Sequence, residues 1–91
     1  MIKKVFVIYD SKTEKHLDPI FTDNVQDVVR MLDQAINNDQ NKSMIAQYPE
    51  DHIVYRIADY DTKTAEIKML SKPESLGKCI DYKRKEKVQS K

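Results

Sequence analysis

An apolar run near the start of the chain, Val5-Phe6-Val7-Ile8-Tyr9, limits the folds that this sequence can adopt. The run consists of β-branched and aromatic residues, which predicts a central β-strand over residues 2–9 with both faces covered. Lys3 and Lys4 precede it, as in a signal peptide, but the run is too short and no small-residue cleavage site follows. It also falls far below the roughly 20 apolar residues that cross a bilayer. We therefore expect a soluble protein with no membrane partner.

The segment 23–37 has the spacing of an amphipathic helix. Its apolar residues recur at intervals of three and four and share one helical face: Val25, Val28, Val29, Leu32, Ala35 and Ile36. Asp23 is placed to cap this helix, and Gln26, three residues later, completes a capping-box pattern. The sequence therefore predicts a helix over residues 23–37.

Polar segments flank the helix on both sides. Residues 11–18 are typical of a loop or a distorted hairpin, and Pro19-Ile20-Phe21 of a short edge strand. Residues 38–50 are rich in Asn, Gln and Asp and predict a long exposed loop, which is often functional in a compact domain. The side chains expected to pin this loop to the body are Met44, Ile45 and Tyr48.

Residues 53–69 alternate between apolar and polar side chains, which predicts a β-hairpin with one buried and one wet face. On the first strand the face expected to be buried carries Ile53, Tyr55 and Ile57, and the wet face carries Arg56 and Tyr60. After a turn at residues 61–64, the second strand alternates in the same way, with Ala65, Ile67 and Met69 on one face and Glu66 and Lys68 on the other. Lys72-Pro73 is expected to end the second strand.

The order of these elements indicates an α+β fold, a small, mostly antiparallel sheet of three to four strands with one amphipathic helix packed on one face. A length of 91 residues, with 40% hydrophobic and 34% charged residues, fits one ordinary globular domain. We expect residues 1–82 to form this domain and residues 83–91 to form a flexible basic C-terminal tail. The tail carries five cations and one glutamate, a net charge of +4, which leaves −3 for residues 1–82 because the whole chain carries +1. A basic tail on an acidic body indicates a polyanionic partner.

The sequence offers little for binding nucleotides or metals, and we expect no cofactor and no metal. Its one glycine, Gly77, excludes a P-loop or a dinucleotide-binding fingerprint, because backbone amides cradle phosphates only where side chains leave room. His16, His52 and Cys79 do not have the spacing of metal ligands. Cys79 is the one cysteine, so no internal disulfide can form, as expected in a reducing cytoplasm.

Glu50-Asp51-His52 places two carboxylates beside an imidazole, which is a nominal acid–base set. Adjacent residues on an extended chain point in different directions. We therefore interpret these residues as a solvated loop end and expect no catalytic residues. An enzyme at this position would need an enclosed pocket around the three side chains.

Cations beside aromatic rings are the arrangement by which proteins hold single-stranded nucleic acid, because the cations neutralise phosphates and the bases stack on the rings. On the wet face of the hairpin the candidate residues are Arg56, Tyr60 and Lys68. At the tail they are Tyr82, Lys83, Arg84, Lys85 and Lys87. The structural alternative is that tyrosines at strand ends cover core edges and that basic termini serve solubility. We predict single-stranded DNA as the partner, with the tail cations supplying most of the affinity.

Several short blocks occur in an informative order: Phe6-Val7-Ile8-Tyr9-Asp10-Ser11-Lys12, Pro19-Ile20-Phe21-Thr22, Val28-Val29-Arg30, Tyr48-Pro49-Glu50-Asp51, Tyr60-Asp61 and Ser75-Leu76-Gly77. Over roughly residues 4–80 they resemble the small nonstructural protein of gokushovirus-type microviruses, which are single-stranded DNA bacteriophages. The family often has glycines where this chain has Ala58 and Ala65. The resemblance implies a DNA-binding protein in the cytoplasm of the infected bacterium, acting in viral DNA replication at the switch to single-stranded synthesis and packaging. The basic tail lies outside it.

A protein-interaction module is the alternative function. In that case an exposed strand edge or the 38–50 loop docks a phage replication or capsid protein, or the edge pairs with a second copy to form a homodimer.

Overall fold

The computed structural model describes residues 1–38 and 43–83, which form a five-stranded antiparallel sheet with helices on one side. The strands are β1 (Ile2–Asp10), β2 (Lys15–His16), β3 (Ile20–Thr22), β4 (His52–Asp61) and β5 (Ile67–Lys78). The helices are α1 (Val25–Asn37) and the single turn α2 (Met44–Gln47), and 3₁₀ turns cover Pro49–Asp51 and Cys79–Tyr82. The predicted α+β class is confirmed. The predicted tail lies outside the described residues from position 84 onwards.

β1 lies in the middle of the sheet, as its apolar run predicts, but in the described part of the chain helices cover one of its faces rather than the predicted two. β4 pairs with one side of β1, whereas β2 and β3 pair with different parts of its other side, and β5 forms the border beyond β4. The sheet has five strands rather than the predicted three to four, because the distorted hairpin at residues 11–18 returns through β2 to pair with the end of β1. The predicted edge strand after it is present as β3.

α1 starts directly after its cap, which is Asn24 rather than the predicted Asp23. The Asn24 side-chain oxygen accepts a hydrogen bond from the Asp27 N–H at 3.0 Å. Asp23 is engaged elsewhere, with its carboxylate 3.1 Å from the Lys3 ammonium. The helix ends at Asn37, in agreement with the prediction.

The core lies between the sheet and α1. Ile8 of β1 and Val54 of β4 pack with Leu32 and Ile36 of α1 and with Cys79 from the last 3₁₀ turn. Partly buried side chains surround this cluster: Ile20, Ile45, Leu76 and Tyr82.

The segment predicted as a long loop over residues 38–50 contains α2 and a 3₁₀ turn, and its residues 39–42 lie outside the described part of the chain. Ile45 packs against the core as predicted. Met44 and Tyr48 are instead 53% and 45% exposed, so the prediction that they pin the segment is wrong.

Strand register assigns the sheet side chains to two faces, because successive residues alternate and directly paired residues share a face. The face beneath α1, called here the covered face, carries Ile8 and Val54. The opposite face, called the open face, carries Val7, Tyr9 and Tyr55. Among residues 1–38 and 43–83, the helices and 3₁₀ turns all pack on the covered side.

The β4–β5 hairpin is oriented opposite to the prediction. Ile53 and Tyr55, expected to be buried, lie on the open face, and Val54 between them is the fully buried residue. Ile67 and Met69 of β5 are 52% and 62% exposed. The alternation itself is present, but an alternating pattern does not state which face receives the helix.

A bulge at Ile57 interrupts this alternation. Arg56 pairs with Phe6 of β1, whereas Ala58 pairs with the next residue back, Val5, so Ile57 has no partner position. A shift of one residue moves all later side chains of β4 to the other face.

β5 does not end at Lys72-Pro73 as predicted. It continues to Lys78 through register shifts that accommodate the proline at the sheet border. None of the helices in the described ranges has the length and apolar character that crossing a membrane requires.

Candidate nucleic-acid interface

The open face concentrates the aromatic side chains of this protein, which has five tyrosines and two phenylalanines. Register places Tyr9 from β1, Phe21 from β3, and Tyr55 and Tyr60 from β4 on this face. Because the helices lie on the other side, these rings border solvent, and Phe21 is 44% exposed. Open aromatic rings on a sheet are surfaces on which unpaired bases can stack.

One group of rings surrounds a cavity near β2. The ring centroids of Tyr9 and His16 are 4.8 Å apart and their planes are tilted by 46°. The cavity has a volume of about 390 Å³ and is lined by Val7, Tyr9, His16, Tyr55, Ile57 and Pro73. We call it the aromatic pocket. Its volume falls at the lower end of the roughly 300–1,000 Å³ typical of small-ligand sites.

A second group lies further along the same face. Phe21 and Tyr60 meet edge to face, with centroids 5.4 Å apart and an interplanar angle of 81°. Tyr60 pairs with Lys3 and Tyr55 with Val7. At about 3.3 Å per residue, the two groups are therefore roughly 13 Å apart along β1.

Charged residues are divided unevenly between the two faces. The acidic residues at paired strand positions all lie in the covered-face register: Asp10, Asp59, Asp61 and Glu74. The ionisable bases in the open-face register are Lys3, His16 and Lys78. Lys3 is balanced by the adjacent Asp23. The paired strand positions of the open face thus carry no carboxylate that would repel phosphate, although residues 1–82 are acidic as a whole.

Arg56, a predicted nucleic-acid ligand, lies at a covered-face position between two carboxylates. Its guanidinium donates a hydrogen bond to Asp59 and lies 3.5 Å from the Glu74 carboxylate. The hydrogen bond with Asp59 is the main reason that the pKa of Arg56 is raised. Two carboxylates outweigh one guanidinium, so this site presents no excess positive charge.

Lys68, a second predicted ligand, also lies on the covered-face side. It pairs with Asp59 and borders a cleft together with Asp61 and Glu66. The structure therefore does not bring Arg56 and Lys68 together with Tyr60, as the predicted platform requires. Without the bulge in β4, Arg56 and Tyr60 would have shared a face.

Tyr82 and Lys83, predicted at the start of the binding tail, lie on the helical side of the sheet. The Tyr82 hydroxyl donates a hydrogen bond to the Leu76 carbonyl at 2.8 Å, and burial raises the pKa of the phenol. The Lys83 ammonium lies 3.4 Å from the Ile36 carbonyl near the end of α1, where a cation is favoured. The other predicted tail ligands, Arg84, Lys85 and Lys87, lie outside the described residues.

The acid–base candidate at residues 50–52 has its members in different environments. Glu50 is exposed, whereas His52 is 1% exposed at the start of β4, so the prediction of a solvated loop end is wrong for His52. The His52 Nδ1 lies 2.8 Å from the Tyr48 carbonyl oxygen, and its Nε2 lies 3.5 Å from Asp10 Oδ2. Nδ1 thus has a hydrogen-bond acceptor in Tyr48, whereas Nε2 makes no hydrogen bond within the described part of the chain. Over positions 1–38 and 43–83, no group of three or more His, Cys, Asp or Glu side chains is arranged to hold a metal ion.

The aromatic pocket is not among the sites that the sequence predicts, because its walls come from segments that are distant along the chain. The alternation on β4 predicts Tyr55 on a buried face. His16 is considered from the sequence only as a metal ligand, because its distance along the chain from other residues can be tested only against metal-binding motifs. The sequence does show that Val7 and Tyr9 alternate with core residues of β1, so both point to the face opposite the core. Their partners become visible only when the strand register is known.

The family model described as Phage ORF5 protein matches residues 3–82. The match runs from β1 to the end of the last 3₁₀ turn, so it covers both faces of the sheet and stops where the basic tail begins. No curated protein and no solved structure matches the chain.

Proposed function

Because the chain belongs to the Phage ORF5 protein family, we propose that this bacteriophage protein is a non-enzymatic, single-stranded DNA-binding protein. It acts in viral genome replication and in the switch to single-stranded synthesis and packaging, in the cytoplasm of the infected host. The observation that carries the proposal is the uncovered sheet face with Tyr9, Phe21, Tyr55 and Tyr60.

The geometry of the open face favours a single strand over a duplex. An unpaired base offers its whole face to an aromatic ring, and each such contact contributes about 1–3 kcal/mol. In a duplex the bases are stacked on one another and show only their edges in the grooves. Four strands abreast, about 4.8 Å apart, are also too broad for a major groove about 12 Å wide.

Two parts of the chain contribute to binding in this proposal. The open face supplies base contacts, and the basic residues 83–91 supply phosphate contacts that do not depend on sequence. The base contacts are insensitive to salt, whereas the phosphate contacts weaken as salt rises. This division accounts for a binding surface on a body whose net charge is negative.

Fluorescence anisotropy with labelled oligonucleotides of equal length, single-stranded and duplex, tests the proposal. The test variant replaces Phe21 and Tyr60 with alanine, and the control replaces Tyr48, which is 45% exposed on the helical side. We expect the test variant to bind more weakly by about 1–3 kcal/mol for each ring on which a base can no longer stack, and the control to bind like the wild type. Absence of single-strand binding at low salt, or tighter binding of the duplex, would refute the proposal.

Deletion of residues 84–91 separates the two contributions. We expect the slope of log affinity against log salt to fall by about 0.7 for each phosphate of the single strand that the deleted cations neutralised. The effect of the Phe21 and Tyr60 substitutions should persist in the deleted protein.

A homodimer interface is the second candidate, because Ile67 and Met69 are exposed on the border strand β5. An unpaired strand edge with exposed apolar side chains can pair with a second copy. Lys72 and Pro73 interrupt the same edge and restrict such pairing to its first residues. Light scattering during size-exclusion chromatography, with Met69→Lys as the test variant, decides whether this edge makes a dimer.

A further inference from the structure

We propose that the aromatic pocket binds a single unpaired nucleobase, turned out of the bound DNA strand. The inference rests on the proposed function and deepens it, because it names the part of the DNA that this cavity takes. The rest of the open face contacts bases by stacking on exposed rings.

The walls of the pocket are formed by different strands. Val7 of β1 lines the pocket and is only 5% exposed. Tyr9 and His16 form one wall and Tyr55 stands beside them on β4. A flat molecule of about the size of one base can therefore lie against the Tyr9, His16 and Tyr55 side chains, which line a common space.

An irregularity in β5 brings Pro73 to the cavity. Glu74 pairs with Arg56 and Met69 pairs with Ala58, so four residues of β5 lie opposite a single residue of β4. The inserted segment contains Pro73, which lines the pocket. The register shift thus adds Pro73 to the pocket lining, which a regular strand would not do. Bulges commonly change the direction of side chains next to functional sites.

The chemistry of the lining suits a base better than a purely apolar ligand. Tyr9 and Tyr55 carry hydroxyl groups and His16 carries two ring nitrogens, and such tips can hydrogen-bond to the heteroatoms of a base edge. The remaining lining is apolar and supplies contact with the base face. The described residues that line the pocket include no carboxylate.

A lysine lies in the same row of the sheet as two residues of the pocket lining, His16 and Tyr9. His16, Tyr9, Ile53 and Lys78 occupy one row across the sheet, as successive partners on β2, β1, β4 and β5. His16 at one end of this row belongs to the pocket lining, and Lys78 lies at the other end, on β5. Phosphates that flank an inserted base would meet these side chains, so the occupant to which we commit is one base of a single strand rather than a peptide or a lipid.

The test compares two labelled oligonucleotides of equal length, oligothymidine and the same backbone without bases, with the full-length protein. Variants Tyr55→Leu and His16→Leu remove pocket groups, and Tyr48→Leu is the control tyrosine outside the open face. The protein has no tryptophan, so quenching of tyrosine fluorescence reports stacking directly. Circular dichroism checks the fold, and His16→Leu decides the result if Tyr55→Leu unfolds, because His16 is exposed on the short strand β2.

We expect the wild type to bind oligothymidine about tenfold or more tightly than the backbone without bases. His16→Leu and Tyr55→Leu should reduce this preference severalfold and weaken the quenching, whereas Tyr48→Leu should leave both unchanged. If the two pocket variants keep the full preference, DNA binding stands but the pocket is not the base site. If neither oligonucleotide binds, the proposed function fails as well.

Discussion

The Nε2 atom of His52 lies 3.5 Å from the Oδ2 atom of Asp10, and the two residues are 1% and 7% exposed. The same carboxyl accepts hydrogen bonds from the backbone N–H groups of Lys12 and Thr13 through its other oxygen. Burial by itself raises the pKa of Asp10, but these two hydrogen bonds and the imidazole together hold it below its ordinary value. The Asp10 carboxylate thus links the end of β1 to the following turn through hydrogen bonds and to the start of β4 through the contact with His52.

Replacing Asp10 with asparagine should change how stability depends on pH. A carboxyl with a lowered pKa stabilises the fold fully above its pKa in the unfolded chain, and this contribution is lost as the pH falls through the folded-state pKa. We therefore expect Asp10→Asn to be less stable than the wild type at pH 7, with the difference shrinking below about pH 4. Urea unfolding midpoints from pH 3 to 7 measure this. Asp18→Asn, at an exposed position, is the control, and a constant difference at every pH would contradict the prediction.

Cys79 should be unreactive in the folded protein. Its side chain is fully buried in the core, and burial, assisted by the charge of Asp81, raises its pKa to about 11. Because the thiolate is the reactive form, we expect a chromogenic disulfide reagent at pH 8 to label native protein only as fast as the core opens. The same reagent in denaturing urea should react at once. Rapid labelling without denaturant would show that the last 3₁₀ turn detaches from the core.

Asn24→Ala should destabilise the protein by about 1 kcal/mol, because it removes the side-chain oxygen that caps α1. Asp23→Ala is the matched control from the adjacent position. It removes only an ion pair with Lys3 at the surface, which contributes between about 0 and 1 kcal/mol. Chemical denaturation of the two variants measures the difference. Equal losses of stability would mean that Asp23 shares the capping role.

Gly77→Ala should destabilise the fold by about 1–3 kcal/mol, since Gly77 has a φ of +97° that L side chains rarely adopt. An added Cβ would also lie 2.7 Å from the Asp81 Oδ2, which accepts a hydrogen bond from the Lys78 N–H. In an Asp81→Ala background only the backbone strain remains, so the same substitution should be less harmful. A double-mutant cycle measures this coupling, and strict additivity would argue against the steric conflict.

The parts of the fold that the sequence predicts well are those set by local pattern. The apolar run Val5–Tyr9 predicts a central strand. The apolar residues of α1 recur at intervals of three and four, so they predict a helix with one buried face. The predictions that are wrong concern the choice of the buried face and the strand register, which depend on segments that are distant along the chain. Apolar side chains occur in both alternating sets of β4, with Val54 in one and Tyr55 in the other, so alternation cannot tell which set receives α1. The bulge at Ile57, invisible in the pattern, then separates Arg56 from Tyr60.

The last described residues of the chain are anchored to the end of α1. The Asn37 side chain donates a hydrogen bond to the Tyr82 carbonyl at 3.0 Å, and Lys83 reaches the Ile36 carbonyl. Lys83, the first residue of the basic segment, therefore lies on the helical side of the sheet, opposite the open face. If the proposed function holds, bases stacked on the open face and a phosphate bound by Lys83 lie on opposite sides of the sheet, and only the residues after Lys83 can bring the two contacts onto one stretch of DNA.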